Sequence, residues 1–202
     1  MMKNVLVAAL ATCSLASQAE LVSKDWIQGS GDQMITYDTV SKLEWLSVRA
    51  TVDKTMDAVR RGPWVRQYGF RPATKTEVDT LFTHAGLKDD WFDVSYTQSS
   101  EALRLAILLG PTQNYDGGIY AVFGMTATPH TGPDVLPPVG QVFVPQTGKI
   151  NVLPVDTPEP GKPMSFYGEA HFTGGMQTSI EHNAVTGTFL VRTCRASTRN
   201  KC

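Results

Sequence analysis

The fold is decided by the stretch Thr74-Lys75-Thr76-Glu77-Val78-Asp79-Thr80-Leu81-Phe82-Thr83-His84-Ala85-Gly86. Thr74 and Glu77 have the spacing of a capping box, in which each side chain binds a backbone N–H group at the start of a helix. Four apolar residues then recur at helical spacing: Val78, Leu81, Phe82 and Ala85. Gly86 can take the left-handed conformation that ends a helix. The pattern predicts an amphipathic helix from Lys75 to Ala85, packed on a core by one face.

The sequence before this helix predicts a hairpin and a further helix. Residues 33–37 and 43–46 are strand-like, and the polar turn between them, 38–42, can be closed by the side chains of Asp38 and Thr39. A helix is expected from Asp53 to Arg61, where Gly62-Pro63 would stop it. Another is expected after the capped helix, from Ser100 to Leu109, stopped by Gly110-Pro111.

Beyond residue 110 the pattern changes to a period of two, which is typical of strands. We expect a strand from Ile119 to Met125 and a hairpin of residues 141–144 with 149–153, turning at Pro145 to Gly148. The last strand is expected from Ala184 to Thr193. Helices followed by short strands make the fold class α+β, with small antiparallel sheets.

Nine of the twelve prolines lie between Pro129 and Pro163. Proline cannot donate to a strand ladder, so this density predicts a long, winding, proline-rich loop region over residues 126–180 around the expected hairpin. Long loops in compact domains are often functional. The segment is therefore the expected binding surface, joined by the polar turn at 113–118.

Residues 1–19 have the features of a signal peptide. Lys3 is followed by a short apolar run and then by small residues at Ser17-Gln18-Ala19, where a signal peptidase could cleave. We expect residues 20–202 to form a single exported domain, periplasmic or extracellular, and no segment is long enough to form a transmembrane helix. Cys13, in Leu10-Ala11-Thr12-Cys13, leaves lipid anchoring open as the alternative to simple cleavage.

Composition narrows the possible partners. The chain has 18 Lys and Arg against 19 Asp and Glu, a net charge of −1. It therefore has no excess of positive charge that would attract nucleic acid. Cys194 and Cys202 remain after cleavage, and in an oxidising compartment they favour a disulfide. Unpaired thiols, or a bond to another chain, are the alternatives.

Several motifs together resemble a known family. They are Tyr37-Asp38, Leu43 to Leu46, Gly69 to Thr74, Glu77-Val78 and the closing Gly187 to Arg192. They are similar to a bacterial exported family of unknown function with a C-type-lectin-like fold, related to the sulfatase-modifying factors. The resemblance implies that fold, with two or three helices and a final strand returning toward the first.

The resemblance does not bring the family's chemistry with it. Calcium-dependent lectins of this fold use a Glu-Pro-Asn or Gln-Pro-Asp loop, whereas this chain has Glu159-Pro160-Gly161, without the amide. His182-Asn183-Ala184 likewise lacks the carboxylate that follows asparagine in such lectins. The active-site cysteines of the sulfatase-modifying enzymes have no counterpart. We expect no metal and no cofactor.

Catalytic candidates are sparse. The histidines (His84, His130, His171 and His182) match no zinc-binding spacing, and His84 suits the C-terminal end of the capped helix dipole. Glu169 and His171 would share one face of a strand and could form an acid and base pair for hydrolysis. Glu181 and His182 would point to opposite faces.

Ligand-binding candidates are Trp91, which no pattern places in the core, and the polar loop residues Asn114 and Asp116. The alternative role of Asn114 and Asp116 is to form a simple turn. Trp45 alternates with Leu43 and is expected in the core. The sequence favours a binding or interaction module for a glycan, a peptide or a protein. A periplasmic hydrolase using Glu169 and His171, and a purely structural envelope component, are the alternatives.

Overall fold

The fold is that of a computed structural model, which describes residues 20–87, 99–115, 119–129, 145–154, 166–173 and 184–194. The predicted α+β class is confirmed. The strands are β1 Leu21–Lys24, β2 Ile35–Asp38, β3 Leu43–Leu46, β4 Arg71–Pro72, β5 Gln113–Tyr115, β6 Ile119–Pro129, β7 Pro145–Pro154, β8 Phe166–Thr173, β9 Thr186–Thr188 and β10 Leu190–Thr193. The helices are α1 Met56–Arg61, α2 Pro63–Arg66, α3 Lys75–His84 and α4 Ser99–Leu109, with a 3₁₀ turn at Val48–Thr51.

The first sheet has the order β1-β2-β3-β10-β4 and is antiparallel throughout. The predicted hairpin is confirmed as β2 and β3, with Ile35 opposite Leu46. The final strand returns to this hairpin and lies between β3 and β4. Trp45 is buried in the main core, as expected.

The second sheet has the order β5-β6-β7-β8, and the short strand β9 pairs in parallel with β6. The predicted turn at Pro145 to Gly148 is wrong, because these residues begin the continuous strand β7. Gly148 lies opposite Gly124 in the ladder instead of turning the chain. The period-two pattern of residues 149–153 simply extends toward the N-terminus, and residues 141–144 lie outside the described residues.

The predicted winding loop around the hairpin is also wrong where the structure describes it, whereas the expected strand 149–153 is confirmed as part of β7. Residues 126–129, 145–154 and 166–173 all belong to the strands β6, β7 and β8. The described prolines of this segment stand at strand ends: Pro129 ends β6, while Pro145 and Pro154 begin and end β7. These three prolines therefore mark strand boundaries.

Helix α1 begins later than the sequence predicted. Asp53 has a φ of 60°, which a helix cannot accommodate, and Thr55 is the N-cap, accepting a hydrogen bond from the Ala58 N–H group at 3.0 Å. Gly62 ends the helix as expected. Pro63, however, opens the one-turn helix α2, because the missing proline N–H group is not needed at a first helical position.

The capping box of α3 is confirmed. Thr74 Oγ1 accepts from the Glu77 N–H group at 3.2 Å, and the Glu77 carboxylate accepts from the Thr74 N–H group at 2.9 Å. Gly86 follows with a φ of 87°. Helix α4 begins one residue earlier than predicted and buries its apolar face in the main core, although Ile107 near its end is exposed.

Residue Phe189 joins the two sheets. The predicted strand from Ala184 to Thr193 divides there into β9, in the second sheet, and β10, in the first. The Phe189 N–H group donates to the carbonyl of Met125 at 3.0 Å, and its carbonyl accepts from the Ala73 N–H group at 2.8 Å. The Phe189 side chain is buried in the main core. None of the described helices is long and apolar enough to cross a membrane.

The ion pair at the start of α3 predicts a pH-dependent stability. Arg71 donates two hydrogen bonds to Glu77, at 2.8 and 2.5 Å, and these bonds lower the pKa of Glu77 from 4.5 to about 2. Because the folded pKa is lowered, the stabilisation is present above about pH 4.5 and is lost as the pH falls through about 2. We expect Glu77→Gln to cost about 1 kcal/mol at neutral pH, measured by urea unfolding.

The difference between wild type and Glu77→Gln should shrink steadily below about pH 4.5. Glu101→Gln is the matched control, since Glu101 also lies in the first turn of its helix but, among the described residues, accepts a side-chain hydrogen bond from the Ser100 hydroxyl alone, at 2.7 Å. A difference that stays constant from about pH 5 to about pH 2.5 would contradict this assignment.

Candidate functional site

The structure places only some of the predicted site residues. Glu169 and His171 lie two positions apart in β8, opposite Asn151 and Lys149 of β7, and only their backbone is described. Asn114 lies in β5, opposite Tyr120, and not in a turn. Trp91 and Asp116 lie outside the described residues, as do His130, Glu181 and His182.

The predicted disulfide also extends beyond the described residues. Cys194 follows β10, and its N–H group donates to the Lys42 carbonyl at 3.0 Å. Cys202 lies outside the described part of the chain, so the pairing of the two cysteines stays a prediction.

A surface loop between β1 and β2, residues 25–34, was not predicted as a site. It is organised by Asp25 and Asp32, each of which accepts three backbone N–H groups of the loop itself. The donors are Gly29, Gly31 and Gln33 for Asp25, and Trp26, Ile27 and Met34 for Asp32, at 2.8 to 3.2 Å. Gly29 and Gly31 have φ values of 78° and 74°, which glycine adopts without strain. The loop is therefore held in one shape by its own carboxylates.

In this loop the carboxylates of Asp25 and Asp32 accept hydrogen bonds from backbone N–H groups. Desolvation acts to raise the pKa of Asp32, but hydrogen bonds from the backbone of Trp26, Met34 and Ile27 outweigh it and hold that pKa below its usual value. Asp32 is therefore ionised and occupied by these donors at neutral pH. Within the described ranges, no three His, Cys, Asp or Glu side chains converge to hold a metal ion.

The loop presents aromatic and apolar side chains beside the helix pair α1 and α2. The rings of Trp26 and Tyr68 meet edge to face, with centroids 4.9 Å apart. Tyr68 is 43% exposed and Ile27 is 69% exposed. Trp26 and Trp64 both pack at the margin of one small core cluster around Phe70, which places the 25–34 loop and the α1–α2 segment side by side. We name Trp26, Ile27 and Tyr68 the aromatic surface.

Arg192 supports this surface from beneath. Its guanidinium stacks on the Phe70 ring with the central carbon 4.4 Å from the ring centroid, and its Nε–H group donates to Glu44 at 2.8 Å. Its Nη1 group donates to the carbonyl of Tyr68 at 2.9 Å. Ion pairing and stacking therefore hold the backbone that carries Tyr68 against strand β10.

The chain matches no protein-family model, and no curated protein and no solved structure is significantly similar to it.

The second unpredicted constellation is a buried carboxylate bound to a histidine. Asp38, whose side chain is 0% exposed, lies 2.6 Å from Nδ1 of His84 through its Oδ2 atom. It also accepts from the Ser41 hydroxyl at 2.6 Å and from the N–H groups of Val40 and Ser41. Burial acts to raise the pKa of Asp38, but these hydrogen bonds together lower it below its usual value. The carboxylate is ionised, so Nδ1 of His84 donates.

The hydrogen bond between Asp38 and His84 connects the β2–β3 hairpin to helix α3. A carboxylate on Nδ1 fixes the orientation of an imidazole, as it does in metal sites and hydrolase triads. Here the Ser41 hydroxyl donates to the carboxylate and not to the imidazole, so Ser41 is not placed as the nucleophile of such a triad. His84 does lie in the last turn of α3, as expected from the sequence, and it also fastens that turn to the hairpin.

Sequence reasoning missed both constellations for identifiable reasons. Asp38 and His84 are separated by 46 residues, and no local pattern links them. The 25–34 loop did carry a signal, because two aspartates flanking Gly29 and Gly31 are typical of a turn closed by its own side chains.

The buried pair predicts a clear order of stability losses. We expect Asp38→Asn to lower the free energy of unfolding in urea by about 2 kcal/mol. The amide NH₂ group of asparagine would face groups that now donate hydrogen bonds to the carboxylate. Ser41→Ala removes one donor and leaves the carboxylate its other partners, so its cost should be about 1 kcal/mol or less. An Asp38→Asn protein as stable as wild type would show that the pair does not hold the hairpin to α3.

Proposed function

We propose that this chain is an exported binding or interaction module, and that it binds its ligand through the aromatic surface. The observation that carries the proposal is the exposure of Ile27 and Tyr68 beside Trp26 on a backbone that is already ordered. Six hydrogen bonds to Asp25 and Asp32 fix the loop before any ligand arrives. A preordered surface loses little conformational entropy on binding.

The residue types suit a ligand with both apolar and polar groups. Tyrosine and tryptophan offer large rigid faces with a polar edge, which is why they concentrate in binding surfaces. A glycan, a peptide or a protein segment could use such faces. Residues 1–19 support export, through their basic start, apolar run and small residues before Glu20.

We also propose a C-type-lectin-like architecture for the domain. The support is the order of its elements: an early hairpin, helices before a long central segment, and a final strand that returns beside the hairpin. The binding surface proposed here lies at the hairpin end of the chain, and not in the 126–180 segment that the prolines suggested.

A periplasmic hydrolase is the second candidate. Its support is the placement of Glu169 and His171 two positions apart in one strand, the spacing that a shared face requires. Hydrolysis of a test ester or glycoside that disappears in the double variant Glu169→Ala with His171→Ala, with the fold unchanged, would favour the enzyme. A structural envelope component is the third candidate and requires a specific partner chain.

The proposal is tested by ligand capture with matched surface variants. The full chain, immobilised, is exposed to a glycan array and to envelope extracts, and the bound species are then titrated against Ile27→Ser with Tyr68→Ser. We expect this double variant to weaken binding about tenfold or more, because it removes the exposed apolar contact area. Val40→Ser is the control, since Val40 is also an exposed apolar residue, at 45%, but lies in the β2–β3 turn.

Two results would contradict the proposal. A ligand whose affinity is unchanged in the double variant binds elsewhere, and an equal loss in Val40→Ser shows a general change of the surface. Circular dichroism of each variant excludes unfolding as the cause.

A further inference from the structure

The second sheet ends in a long strand. β8 has eight residues, and among the described strands it pairs with β7 alone. The other edge strands of the two sheets, β1, β4 and β5, have four, two and three residues. A long edge offers a row of backbone N–H and C=O groups to a further strand, which is why proteins shorten, charge or cover their edges.

The edge strand β1 has two features that oppose strand addition, and β8 has neither. The Leu21 carbonyl of β1 already accepts a hydrogen bond from Nη2 of Arg104 at 3.0 Å, and Lys24 ends the strand. β8 contains no Lys, Arg or Pro, the residues that commonly protect an edge. The length and composition of β8 therefore suit pairing with another strand.

The ladder determines which residues of β8 direct their backbone groups to the open side. The Phe123 N–H group donates to Thr112 Oγ1 at 3.0 Å, so Phe123 directs its backbone groups away from β7. Phe123 lies opposite Lys149, and Lys149 lies opposite His171. Because this direction alternates along an antiparallel ladder, His171 bonds to β7 and its neighbours face outward. The outward residues are Gly168, Ala170 and Phe172.

Two copies of the chain can pair through these outward groups with Ala170 on a two-fold axis. Residues 167–173 of the two strands are then in antiparallel register. Glu169 lies opposite His171 of the partner subunit, and the symmetry forms the same pair a second time. Lys149 lies opposite His171 in β7, so the partner's Glu169 faces a row of two basic residues.

The neighbouring registers are less favourable. A shift that keeps the outward groups paired moves the axis to position 169 or 171. The first sets Glu169 opposite its own copy, and the second sets His171 opposite its own copy. Opposite charges across a strand pair are stabilising and like charges are destabilising. Charge complementarity therefore favours a second copy of this chain, in one register.

We propose that β8 is a dimerisation edge, at which two copies of the chain pair antiparallel about Ala170 and continue the second sheet across both subunits. The dimer carries two aromatic surfaces, so a ligand with repeated sites binds it with higher avidity than the monomer.

The test is sedimentation equilibrium of the full chain at about pH 6, where an ordinary histidine is largely protonated. A reducing agent removes any disulfide between two chains. We expect wild type to dimerise, and His171→Glu to weaken the dimer about tenfold or more, because it places a carboxylate opposite Glu169 at both symmetric positions. Glu169→His with His171→Glu exchanges the charges but keeps them opposite, so it should restore the dissociation constant to within about threefold.

The control adds the same charge to the other sheet. Ser23→Glu changes an exposed residue of β1 and should leave the dissociation constant unchanged. A wild-type chain that stays monomeric at about 0.1 mM would overturn the proposal. So would an equal loss in Ser23→Glu, or an exchange variant that dimerises as weakly as His171→Glu. Circular dichroism checks that each variant is folded.

Discussion

The passage of the chain through Phe189 is the constraint on which the rest of the structure depends. At this residue the chain leaves one sheet and enters the other, so its N–H group bonds to Met125 of β6 and its carbonyl accepts from Ala73 before α3. The ring fills the core between the sheets and leaves no room at Gly124, where a Cβ atom would lie 2.6 Å from it. Gly187 is equally confined, since a Cβ there would meet the Val48 carbonyl. A side chain at Gly124 would push β6 away from the Phe189 ring, and one at Gly187 would push β9 away from the 3₁₀ turn.

This crossing also positions the proposed binding surface. Strand β10 begins immediately after Phe189, and its Arg192 stacks on Phe70 and bonds to the Tyr68 carbonyl. The surface is thus attached to the most buried part of the fold, while the 25–34 loop beside it is ordered by its own carboxylates. A rigid support with exposed aromatic and apolar side chains is the arrangement that binding sites use.

The sequence predicted what is encoded locally. The capping box of α3, the β2–β3 hairpin and the glycines after α1, α3 and α4 each depend on residues a few positions apart, and each was placed correctly. Prediction from the sequence failed where one local signal is compatible with two structures. Gly148 suits a turn, yet its partner in the ladder is Gly124. Pro129, Pro145 and Pro154, which contributed to the predicted loop, stand at strand ends. The Asp38–His84 bond and the division at Phe189 are nonlocal, so no spacing in the sequence could reveal them.

The central claim is that the chain binds a ligand on the surface formed by the 25–34 loop and the α1–α2 segment. The most direct measurement is the two-dimensional ¹H–¹⁵N spectrum of the full chain during titration with a ligand captured from the glycan array or the envelope extract. The account predicts that the signals of the Trp26 indole, Ile27 and Tyr68 shift together and saturate at one affinity. Shifts confined to strands β7 and β8, around Glu169 and His171, would contradict it and place the site on the second sheet.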